Sequence, residues 1–64
     1  MARTWFKAYD HKGEVRSVVW TSSPGAEAAE RQALAARLAR FELGWVDVFS
    51  EDPRIAGERL FPPG

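Results

Sequence analysis

Hydrophobic and polar positions alternate along three short stretches of this chain and follow a longer, helical period along a fourth. Thr4–Tyr9 reads Thr-Trp-Phe-Lys-Ala-Tyr, Val15–Thr21 holds three valines, a tryptophan and a threonine, and Trp45–Ser50 reads Trp-Val-Asp-Val-Phe-Ser. Runs of β-branched and aromatic residues of this length predict strands. Asp10-His11-Lys12-Gly13 separates the first two. Aspartate can bond its own backbone in such a turn and glycine accepts positive φ, so an antiparallel hairpin is expected.

The helical period covers Ala26–Leu43, rich in alanine, leucine, glutamate and arginine, all strong helix formers. Ser23 is placed to cap this helix, with Pro24 at the first helical position, where a missing N–H costs nothing. Gly44 is the expected left-handed terminator. Leu34, Leu38 and Phe41 form a stripe expected to pack on the sheet. Ala28, Ala35, Ala39 and Leu43 form a shallower stripe that reads either as an alanine-rich solvent face or as a close-approach surface for another helix.

The order β-β-α-β predicts an α+β, two-layer fold: a three-stranded, mainly antiparallel sheet with one helix on one face. The third strand is expected beside the first, in the order 2-1-3; a place beside the second is the alternative. Residues 1–64 read as a single small domain, with 54–64 a C-terminal tail in which Glu58–Phe61 can add a short edge strand.

Period-2 alternation sorts the strands into two faces. One carries Phe6, Ala8, Val15, Val19, Val46 and Val48. The other carries Trp5, Tyr9, Val18, Trp20, Trp45 and Phe49, interleaved with Lys7, Arg16 and Asp47. Either set can lie under the helix, and a single helix covers only one, so an apolar surplus remains. Contiguous exposed apolar patches mark binding surfaces. Three covers are open: the tail, with Ile55, Leu60 and Phe61 as plugs; a second copy; or another macromolecule. If the aromatic face is covered, Asp47 needs a mate, because a lone buried carboxylate is costly. Lys7 and Arg16 are the expected mates.

Composition sharpens this reading. A domain of 64 residues buries only roughly 60% of the surface its unfolded chain exposes, so pairing helps it. The chain has no cysteine, which excludes disulfides and thiolate metal sites. Nine basic and nine acidic side chains give a formal charge of zero, which argues against general nucleic-acid binding and leaves little repulsion between copies. Charge is nonetheless segregated: Met1–Thr21 carries +2 and Trp45–Gly64 carries −2. No apolar run approaches the roughly 20 residues needed to span a bilayer. The N-terminus lacks a signal-peptide core, and the expected location is the cytoplasm.

Chemical signals are sparse. His11 is the single histidine and sits in a polar turn with Asp10 and Glu14, which match no metal-ligand pattern. Glu51, Asp52 and Glu58 lie near one another but belong to no cation loop, and read as a solvated acidic edge. Ser22-Ser23-Pro24-Gly25 lacks the glycines and lysine of a phosphate loop and reads as a helix cap.

The sequence therefore points to a small non-catalytic protein–protein interaction module, self-associating as a homodimer or meeting another protein. Its expected interface is Trp5, Tyr9, Trp20, Trp45 and Phe49, with Lys7, Arg16 and Asp47 setting the register. The alternative is single-stranded nucleic acid stacked on Trp5, Tyr9 and Trp20, with Arg3, Lys7 and Arg16 meeting phosphates. No catalytic residue, metal, cofactor or membrane contact is expected.

Overall fold

The computed structural model describes residues 2–64, leaving Met1 outside the described residues. The elements run β1 (Thr4–Tyr9), β2 (Val15–Thr21), α1 (Pro24–Ala39), β3 (Trp45–Ser50) and β4 (Glu58–Leu60). They form a four-stranded sheet in the order β2-β1-β3-β4. Each neighbouring pair is antiparallel, so β2 and β3 run parallel with β1 between them.

The three-stranded expectation is corrected here. Glu58–Leu60 pairs with β3 through Val46↔Leu60, Asp47↔Arg59 and Val48↔Glu58. Three residues are too few to show a period of two, so this strand exists through its bonds to β3 rather than through its own pattern. It adds Glu58 and Leu60 to the helix side and Arg59 to the other. Leu60 packs on the core opposite Val46, and Arg59 stands on the other side opposite Asp47.

Phe6, Ala8, Val46 and Val48 lie buried beneath the helix with Leu34, Leu38 and Leu43. The valine-rich set is therefore the core face. Val15 is the exception: it is exposed, and it pairs with Tyr9. The β1–β2 register jumps from Ala8↔Ser17 to Tyr9↔Val15, leaving Arg16 unpaired. One extra residue in one strand reverses the alternation beyond it, which moves Val15 from the helix side to the aromatic side.

Ser23 caps the helix as expected, accepting a hydrogen bond from the Ala26 N–H at 3.3 Å. The end differs from the expectation. The helix stops at Ala39, and the residue with left-handed backbone is Phe41, at φ 58°, not Gly44. The Phe41 N–H donates to the Leu38 carbonyl and the Glu42 N–H to the Arg37 carbonyl, the paired bonds of a Schellman ending. Arg37 and Glu42 face one another in an ion pair at 3.6 Å. Because the helical period lapses at Ala39, Phe41 swings into solvent and Leu43 becomes fully buried in its place. Gly44 serves a different need. A Cβ there would lie 2.4 Å from the Asp10 carbonyl oxygen, while its N–H donates to the Tyr9 carbonyl at 2.8 Å.

Candidate interaction surface

The sheet face away from the helix is built from three cross-strand rungs. Trp20, Trp5 and Phe49 form the first; Val18, Lys7, Asp47 and Arg59 the second; Val15, Tyr9 and Trp45 the third. Residues opposite one another in antiparallel strands share a face at Cβ spacings of about 4.5–5.5 Å, which brings these rings into contact. Trp5 meets Trp20 and Phe49 at centroid distances of 6.4 and 6.5 Å. Tyr9 and Trp45 stack at 4.6 Å. Two aromatic clusters thus flank one polar rung.

The outer parts of this face are open. Trp20 is 48% exposed, Phe49 43%, Val18 52% and Val15 47%. Trp5, Tyr9 and Trp45 are half-buried by their neighbours. The tail lays no apolar plug here: Ile55 and Phe61 are exposed, and Leu60 faces the core. What the tail contributes is Arg59.

Arg59 takes the place expected of Lys7 or Arg16 as the mate of Asp47. Its Nε donates to Asp47 Oδ1 at 2.7 Å and its second terminal nitrogen to Oδ2 at 3.2 Å. The same guanidinium lies 5.3 Å from the Trp45 ring centroid. A planar fork matches a carboxylate better than an ammonium does, so Arg59 prevails once β4 brings it alongside. Lys7, although opposite Asp47 in register, leans over the Tyr9 ring at 5.5 Å. Arg3 lies over Trp20 at 4.5 Å. Arg16, set apart by the bulge, stands 3.7 Å from Asp10 at the hairpin end. The structure therefore gathers Trp5, Tyr9, Trp20, Trp45, Phe49, Lys7 and Asp47, with Arg3 at one corner, and leaves Arg16 aside. Sequence reasoning missed Arg59 and Val15, and neither carries a local signal.

The residues weighed for chemistry have structural partners. Asp10 Oδ1 accepts the backbone N–H groups of Lys12 and Glu14. These bonds, that from Glu14 foremost and with Arg16 assisting, hold its carboxyl below the usual value. His11 Nε2 donates to the Phe41 carbonyl at 2.7 Å, tying the hairpin turn to the helix end; a carbonyl only accepts, so the proton sits on that nitrogen. The acidic edge is a set of bonded side chains. Glu51 accepts from the Arg3 backbone N–H and the Trp5 indole N–H. Asp52 holds Arg54, and Glu58 pairs with Arg31 at 2.9 Å. The Glu51 carboxyl is lowered chiefly by the Arg3 N–H.

Among the described residues, no group of three His, Cys, Asp or Glu is placed to hold a metal ion. No helix among them is long and apolar enough to cross a membrane. The chain presents an exposed aromatic cluster of the kind interaction surfaces use. No known protein family, curated protein or solved structure matches it.

Proposed function

We propose that this chain is a non-catalytic interaction module of the cytoplasm that pairs with a second copy of itself through the aromatic face of its sheet. The observation that carries this reading is the uncovered state of that face: Trp20, Phe49, Val18 and Val15 stay open after the helix and the tail have packed. Apolar area removed from water stabilises a contact by about 25 cal/mol per Å². A stable interface takes about 800 Å² from each partner, about a fifth of the 4300 Å² this chain exposes. The formal charge of zero puts little long-range repulsion between copies. Molecular mass by light scattering across a concentration series is the test. A mass that doubles with concentration supports the reading, and a monomer throughout removes it.

A second reading rests on the cations over the rings: Arg3 on Trp20, Lys7 on Tyr9 and Arg59 on Trp45. Single-stranded nucleic acid combines flat bases with phosphates and suits such a surface. A short oligonucleotide should then quench tryptophan fluorescence, and added salt should reverse the quenching. The zero net charge favours the first reading.

A further inference from the structure

We infer that the two copies meet face to face about a two-fold axis parallel to the strands, so that Lys7 of each copy pairs with Asp47 of the other. This rests on the self-association reading above. The charge order of the middle rung carries it: Val18, Lys7, Asp47 and Arg59 from β2 across to β4. Two sheets stacked about 10 Å apart with their strands aligned are related by a two-fold axis that runs either across the strands or along them.

An axis across the strands lays β1 over β1 and β3 over β3. Lys7 would then face Lys7 and Asp47 would face Asp47, an opposition that interfaces avoid. An axis along the strands, between β1 and β3, lays β1 over β3. Lys7 then faces Asp47, twice per dimer, and both aromatic rungs meet their own kind: Trp5 faces Phe49, and Tyr9 faces Trp45. The aligned twist of stacked sheets, about 30°, keeps these opposed residues within side-chain reach.

The donor and acceptor are ready for this pairing. Lys7 has no carboxylate partner among the described residues and rests over Tyr9. Asp47 gives one direction of each oxygen to Arg59, and an ionised carboxylate has about four acceptor sites. Arg59 therefore fixes the carboxylate without exhausting it.

A charge-exchange experiment tests the arrangement. Lys7→Glu sets a glutamate against Asp47 across the interface, and Asp47→Lys sets a lysine against Lys7. Each variant alone should show a dissociation constant raised by at least about 100-fold. Mixed in equal amounts they should form a heterodimer. The glutamate introduced in one copy then faces the lysine introduced in the other, and the remaining native Asp47 faces the remaining native Lys7. Asp47→Lys also releases Arg59, so circular dichroism of each variant comes first. Lys7→Glu keeps both Asp47 and Arg59, although its glutamate also stands opposite Asp47 in its own sheet. Once circular dichroism shows it folded, it decides the matter alone if its companion does not fold. Unchanged dimerisation of Lys7→Glu overturns the arrangement, as does a folded pair of monomeric variants that stays monomeric on mixing. A wild-type dimer in those cases leaves self-association standing; a wild-type monomer removes both.

Discussion

Tyr9 and Trp45 stack with ring centroids 4.6 Å apart and 18° between their planes, the closest aromatic pair on the sheet face. They come from strands separated in sequence by β2 and the helix, yet they pair directly in register. Gly13, in the hairpin turn at φ 84°, lies against the same indole: a Cβ there would sit 3.4 Å from Trp45 Cη2. With Arg59 also on this ring, Trp45 joins the hairpin, the third strand and the tail. Trp45→Ala should therefore lower the unfolding free energy by about 2–3 kcal/mol, below the full cost of a buried tryptophan because this one is half-buried. Urea denaturation measures it.

Trp20 is more open, at the outer end of its rung on the edge strand. Trp20→Ala should weaken self-association by about 10-fold or more while costing the fold only about 1 kcal/mol. The checks are sedimentation across concentration, and far-UV circular dichroism with thermal melting. Equal loss of both properties would assign Trp20 to the fold.

The helix end inverts the usual roles of its residues. Phe41 holds a left-handed backbone with its ring in solvent, at a cost of about 1–2 kcal/mol for a residue with a Cβ. Phe41→Gly should raise stability by about 1 kcal/mol. Gly44→Ala should cost about 3 kcal/mol, because the new Cβ meets the Asp10 backbone, which cannot rotate away. Chemical denaturation of the two variants should move the midpoints in opposite directions.

Acid should destabilise the fold. Asp10 and Asp52 are held below 3.8, and Glu51 and Glu42 below 4.5. The leading causes are the Glu14 N–H for Asp10, the Arg54 side chain for Asp52, the Arg3 N–H for Glu51 and the Arg40 side chain for Glu42. Unfolded, these groups titrate near their ordinary values, so the unfolded chain binds more protons over that interval. Their contribution is present above the ordinary carboxylate range and is lost progressively as pH falls through the lowered values. Urea midpoints should agree at about pH 7 and about pH 5 and fall at about pH 3. Glu51→Gln should reduce that fall.

Three strands carry the bounds their alternation predicts, and Ser23 and Pro24 start the helix where their chemistry places them. These features were legible because the cause is local: a side chain's period, a hydroxyl that can reach an N–H, a ring that has no N–H to lose. The division of the sheet into a valine face and an aromatic face followed from the same period. The choice of which face to bury did not, since both are apolar.

Contacts between distant segments settled the remainder. β4 is defined by an open edge of β3, and the bulge at Arg16 by the fit of two twisted strands. Phe41 leaves the core because the chain must turn out of the helix toward Gly44, which docks on Tyr9 and Asp10. Arg59 reaches Asp47 only because the tail lies beside the third strand. The residue pattern alone was enough for the elements and their two faces, since one stretch of backbone sets those. A short edge strand over Glu58–Phe61 was an open expectation and is observed over Glu58–Leu60. Its place beside β3, the reversal at Val15 and the Asp47–Arg59 pair came from packing, which joins residues whose neighbours in the chain give no sign that they will meet.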